Sequence, residues 1–227
     1  IIDLDTAEPV YAGRNFNFLD GEASQDVSSE LDHVKDLTRG TVNIRYRMKQ
    51  ADSGINALFS VSKKDTNATY AAFYVNNSTV GLELRDTQQL NTFASQAYAD
   101  GTPLEINDSY WHTLTWTFGD TTSLYVDGKL VKTVDTNKFF AALSAADTMT
   151  VGGLIRNGNN WHVPCAVDEV TVYKEEFPAE TVKQYHEATT FVPEIGPNPD
   201  GTYKSEPIDL FYPGYDDSAN YRIPSLL

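Results

Sequence analysis

Cysteine is almost absent. Cys165 is the only one in 227 residues, so no intrachain disulfide is available, and its apolar neighbours mark a small core residue rather than a reactive thiol. It says little about compartment. Methionine is nearly as scarce, with 2 against 13 Tyr, a balance that leans toward strands rather than helical packing. No apolar run reaches the length of a membrane span, and no basic, hydrophobic leader opens the chain, as expected of a mature, soluble sequence. Positive charge is in short supply: 17 Lys plus Arg stand against 32 Asp plus Glu, a net of −15. Such a field repels nucleic-acid phosphates and anionic membranes, which excludes both as expected partners. His33, His112, His162 and His186 have no metal-ligand spacing, so no metal centre is expected. Asp65, Asp127, Asp147 and Asp168 leave calcium open but unassigned, because no EF-hand-like spacing joins them. No other cofactor is indicated.

What the chain does contain is period-two alternation from end to end. In Thr41 to Met48, Val42, Ile44, Tyr46 and Met48 are apolar while Asn43, Arg45 and Arg47 are polar, the mark of a half-buried strand. Further strands are predicted at 57–61, 69–75, 80–85, 111–118, 123–125, 129–134, 149–155 and 167–173. Asp127-Gly128 lies between two of them and fits a type I′ hairpin turn, which needs positive φ at both central residues. One helix is predicted over 178–188, with Pro178 near its start. Many short strands joined by turns mean an all-β sandwich. After Thr190 the chain becomes rich in Pro and Gly and reads as a linker over 191–205. Residues 206–227 then begin a new pattern that stops before a domain could close.

One hairpin can be registered from sequence. A turn centred on Asn77-Ser78 pairs residues whose numbers sum to 155. One face then carries Ala71, Phe73, Val75, Val80, Leu82 and Leu84, all apolar, and the other Tyr70, Ala72, Tyr74, Asn76, Gly81, Glu83 and Arg85. The first is the core face. On the second, Glu83 and Arg85 point the same way, about two residue rises apart; the residues alone read equally well as a surface ion pair.

Three stretches, Trp111-His-Thr-Leu-Thr-Trp-Thr-Phe, Ser123-Leu-Tyr-Val-Asp-Gly-Lys-Leu-Val and Val167-Asp-Glu-Val-Thr-Val-Tyr, together resemble the concanavalin and laminin-G jelly-roll superfamily over about residues 8–190. The tail Pro213-Gly-Tyr-Asp-Asp-Ser-Ala-Asn-Tyr-Arg-Ile-Pro-Ser looks like the opening of a sialidase catalytic propeller. Its Arg-Ile-Pro motif would make Arg222 the first arginine of the carboxylate-binding triad. A jelly roll just before that motif resembles the family 40 carbohydrate-binding module, the sialic-acid-binding domain of secreted bacterial sialidases. The resemblance divides the chain into a binding module over 1–190, the linker, and a truncated propeller start. The Asp-box turns, the Tyr and Glu nucleophile pair, the acid/base Asp and two further arginines of that catalytic domain would lie beyond Leu227, so this fragment is not expected to hydrolyse anything. Nor does it contain the Glu-x-Asp-x-x-Glu run of the jelly-roll glucanases.

Sialic acid presents a carboxylate, an N-acetyl group and a glycerol chain. Arginine suits the first, since its guanidinium matches a carboxylate with two parallel hydrogen bonds. The resemblance assigns Glu83 to the amide N–H and Arg85 to the carboxylate. It adds Arg156, following Thr150-Val-Gly-Gly-Leu-Ile, as a second carboxylate ligand; read alone, Arg156 is equally a solvated loop cation. Trp161 and His162 stand where the family usually has a Tyr. Tyr74 faces Gly81, whose missing side chain leaves room for a sugar, and Ile55 is set to meet the acetyl methyl, although both are also ordinary packing residues.

The resemblance implies a monomeric, non-catalytic module that binds sialylated glycans such as sialyllactose and mucin and targets an attached secreted or cell-surface bacterial sialidase, hydrolytic or intramolecular trans-sialidase, to its substrate. Two readings compete. A structural or adhesive laminin-G-like domain would merely space the enzyme, and a split active site would complete itself only with the missing propeller.

Overall fold

The computed structural model describes residues 2–189 apart from residues 5, 19–23, 49–53, 100, 105, 109, 159 and 163. In chain order the strands are β1 (Tyr11–Asn17), β2 (Gln25–Asp26), β3 (Gly40–Met48), β4 (Asn56–Ser62), β5 (Thr69–Asn76), β6 (Thr79–Asp86) and β7 (Gln88–Gln96). They continue with β8 (Tyr98–Ala99), β9 (Thr102–Pro103), β10 (His112–Phe118), β11 (Thr122–Val126), β12 (Lys129–Val134), β13 (Thr148–Val151) and β14 (Cys165–Tyr173). The helix α1 (Ala179–Thr189) follows. Its first turn begins just past Pro178, which cannot donate a backbone hydrogen bond and therefore suits a helix start.

Two six-stranded antiparallel sheets form the sandwich, ordered β1-β14-β3-β10-β11-β12 and β2-β13-β4-β5-β6-β7. The core lies between them. Val42, Ile44, Tyr46 and Met48 of β3 face Phe59, Phe73, Leu82 and Leu84 of the other sheet across a fully buried layer around Trp116. This is the alternation read from the sequence, with one addition: a bulge between Ala57 and Phe59 of β4 puts both Leu58 and Phe59 into the core. Compact contacts extend over residues 1–187, and 188–227 form a second unit. The linker over 191–205, the segment 206–227 and Arg222 lie outside the described residues.

Most predicted strands appear within a residue or two of their expected bounds. The one expected over 149–155 ends at Val151, because Gly152 adopts φ +76 and donates its N–H to Leu58 O at 2.8 Å. The chain leaves the sheet there, five residues ahead of Arg156. Strands β1, β2 and β7, outermost in their sheets, have no counterpart in the sequence reading.

Asp127 and Gly128 take φ +48 and +74 between β11 and β12, the conformation a type I′ turn demands. Asp127 also works as a clasp. Its carboxylate accepts from Thr113 N at 2.9 Å and pairs with His112 Nδ1 at 2.9 Å, while Asp108 meets His112 Nε2 at 2.8 Å. His186 of α1 lies 4.0 Å from the same Asp127.

Candidate functional site

The β5–β6 hairpin pairs Tyr70 with Arg85, Ala72 with Glu83 and Tyr74 with Gly81, the register whose paired numbers sum to 155. Its antiparallel neighbours extend these pairs into rows on the sheet face turned away from the core. One row runs Ala57, Tyr74, Gly81, Ala94, the next Ser60, Ala72, Glu83, Thr92, and the third Ser62, Tyr70, Arg85, Gln89. Glu83 and Arg85 therefore stand side by side on β6 because two is the side-chain period of a strand.

The segment after β13 folds back across the outer face of β4. Ser60 Oγ donates to Gly153 O at 2.8 Å, Ser62 Oγ to Ile155 O at 2.6 Å, and Ala57 N to Trp161 O at 3.0 Å. Leu154 is thereby pressed onto Ala57, Tyr70 and Ala72, with Trp161 packed beside them. The loop delivers Arg156 to the hairpin. Its guanidinium carbon lies 4.5 Å from the Tyr70 ring centroid and 4.3 Å from that of Trp161, within the range of a cation–π contact. Trp161 meets Tyr70 edge-on, with centroids 5.7 Å apart.

Tyr70 joins the charged groups. Its hydroxyl donates to Glu83 Oε1 at 2.7 Å, and that oxygen lies 3.9 Å from Arg85 Nη1. Burial raises the Tyr70 pKa and the bond to Glu83 raises it further, with Arg156 and Arg85 opposing. Arg85 keeps 36% of its side chain exposed against 16% for Glu83, although its Nε is buried. Its Nε makes no hydrogen bond among the described residues. The result is two guanidinium groups bordering one phenol ring, with a carboxylate fixed beside them. Such a set matches a small ligand bearing both an anion and a hydrogen-bond donor.

Four of the expected site residues, Glu83, Arg85, Arg156 and Trp161, are thus brought together. Tyr74 lies in the neighbouring row, but the space above Gly81 is not open to a sugar. A Cβ at Gly81 would sit 2.3 Å from Tyr74 Cζ, so the tyrosine ring itself occupies the room. Ile55 stands half-buried one residue before β4, toward the Tyr74 end. His162 lies against Gly153: its Nδ1 would lie 2.8 Å from a Cβ there, beside Ser24, and makes no hydrogen bond among the described residues. Trp161 takes φ +47. The residue the sequence reading left out is Tyr70. The signal was there, since it shares a row with Arg85.

Three of the four aspartates considered for calcium are engaged by other groups. Asp127 is engaged by His112, Asp147 accepts from Lys64 N at 2.8 Å, and Asp168 pairs with Arg45 at 2.7 Å. Among the described residues no three His, Cys, Asp or Glu side chains are grouped to hold a metal. No described helix is long and apolar enough to cross a membrane.

Comparison with known proteins bears directly on this architecture. The family model described as "Sialidase, N-terminal domain" matches residues 12–189. An anhydrosialidase of Macrobdella decora is 26% identical over 224 residues; the match covers 94% of this chain but 27% of the relative, so the chain spans about a quarter of that protein's length. The family 40 module of the Ruminococcus gnavus IT-sialidase, solved bound to α2,3-sialyllactose, superposes with a TM-score of 0.68 at 22% identity, covering 79% of this chain and all of that one. NanB sialidase from Streptococcus pneumoniae superposes with a TM-score of 0.66 at 21% identity, covering 78% of this chain and 28% of its own. These superpositions agree on the jelly-roll sandwich, and with the family model matched over all but the first strand residue, the sandwich and α1, this chain belongs to the sialidase N-terminal domain family.

Proposed function

We propose that this domain binds terminal sialic acid on host glycans, mucin among them, as a monomer, and holds an attached sialidase near its substrate. Supporting the reading above all is the convergence of Arg85 and Arg156 on Tyr70, with Glu83 bonded to the same phenol. In this reading both guanidinium groups take the sugar carboxylate and Glu83 accepts from the acetamido N–H. Trp161 walls the site, and Tyr74 and Ile55 contact the acetyl end. His162 stands next to Trp161 on the same wall. The R. gnavus module, solved with both α2,3- and α2,6-sialyllactose, lends support through its shared fold.

The chemistry of hydrolysis or intramolecular transfer belongs to the remainder of the parent, a secreted or cell-surface enzyme of bacterial type. Residues 191–205 serve as linker and 206–227, with Arg222, as the start of its propeller. The module itself performs no turnover and needs no metal.

A single polar sugar in an exposed site binds with a dissociation constant on the order of 0.1–1 mM, and tethering then raises the effective concentration of enzyme at sialylated surfaces. Calorimetric titration with 3′-sialyllactose tests this. Arg85→Ala and Arg156→Ala each abolish measurable binding while the domain stays folded, Arg156→Ala costing about 1–2 kcal/mol for its lost ring contacts. Silence of the native domain toward sialyllactose would favour an adhesive or spacer role instead.

A further inference from the structure

The face around Glu83 and Arg85 is closed on one side and open on the other. Toward β4 it is covered, since Leu154 sits on Ala72 and Arg156 lies across Tyr70. Toward β7 it is bare. Gln89 and Thr92, which continue the Arg85 and Glu83 rows, are exposed, and β7 is the last strand of its sheet. A chain leaving the site in that direction meets a polar strand and then solvent.

The chemistry of the ligand fixes which end leaves. In an α-sialoside the carboxylate and the glycosidic oxygen share one carbon, while the acetamido group sits across the ring. With the carboxylate at Arg85 and the acetamido N–H at Glu83, the sugar lies along β6 with its glycosidic carbon at the Arg85 end. The cross-strand neighbour of Arg85 is Gln89.

Resting on the sialic acid reading above, we infer that the penultimate sugar of the bound glycan passes over β7, and that Gln89 forms the subsite that receives it. The Gln89 amide carries both a donor and an acceptor, the pair a sugar hydroxyl uses. This makes Gln89 a determinant of preference for extended sialosides over the monosaccharide.

The test is an amide-shift titration of the full chain with methyl α-sialoside and, separately, with 3′-sialyllactose. Sialyllactose is expected to add shifts at Gln89 that the methyl sialoside does not produce. In Gln89→Ala the dissociation constant for sialyllactose rises about two- to tenfold, the loss of one hydrogen bond, while that for the methyl sialoside is unchanged. Extra shifts on residues 152–162 instead, or a variant that affects both ligands equally or neither, would overturn the inference and leave the binding site standing. Failure of the native chain to respond to either ligand would overturn the binding site as well.

Discussion

Replacing Tyr70 by phenylalanine removes a single oxygen and keeps the ring on which Arg156 rests. The lost bond to Glu83 measures 2.7 Å and ends on a carboxylate with only 16% of its side chain exposed. A hydrogen bond to a charged group is worth about 1.5–3 kcal/mol. Arg85, 3.9 Å away, is free to close on the same oxygen and recover part of this, leaving a net cost of about 1–2 kcal/mol. For a domain of this size that lowers the melting temperature by about 2–8 °C. Tyr70→Leu removes the ring too, and with it the cation–π contact and the edge-on contact to Trp161, which adds about 1–3 kcal/mol. Urea denaturation of both variants gives the stabilities, and sialyllactose titration of the phenylalanine variant gives the functional cost. Its dissociation constant rises severalfold, because Glu83 loses the bond that orients it. A double-mutant cycle with Glu83→Gln isolates the pair, and coupling of at least about 0.5 kcal/mol is expected. A phenylalanine variant equal to wild type in stability and in binding would refute the claim that Tyr70 organises the site.

Stability should also peak near pH 6.5. Burial opposes charge on His112, but its bonds to Asp127 and Asp108 outweigh that and raise its pKa, so its contribution is complete below the unfolded value of about 6.5 and is lost as pH rises through the folded value. Burial depresses the pKa of His186 despite the nearby Asp127, so protonation of His186 destabilises the fold as pH falls below the same reference. In urea midpoints measured across pH 5–9, His112→Gln abolishes the decline on the alkaline side; an unaltered alkaline limb would exclude the clasp. Gly81→Ala forces a Cβ to 2.3 Å from the Tyr74 ring and costs about 1–3 kcal/mol, and a melting temperature equal to wild type would mean the ring does not lie where it is described. The buried thiol of Cys165, its pKa pushed up to about 12 by burial, stays silent toward a thiol reagent until the domain unfolds. Reaction at the same rate in native and unfolded protein would contradict its burial.

Alternation and turn chemistry are local, and they carried far. Asp127-Gly128 specified its turn, and the run from Tyr70 to Arg85 specified its register, its core face and the adjacency of Glu83 and Arg85, because a strand offers two faces and one of them here was wholly apolar. Strands such as β7 escaped notice because an edge strand in a sheet with one solvated face has few positions that must be apolar. Gln88, Gln89, Thr92, Ala94 and Gln96 are all exposed. Nothing local tells where Arg156 goes. Its place above Tyr70 and the burial of Leu154 against Ala72 depend on the turn at Gly152 and on two serine hydroxyls of β4 that capture the returning backbone. These contacts join residues about 90 positions apart. Only packing in three dimensions decides between such partners, because every segment of the chain carries polar groups able to make the same bond.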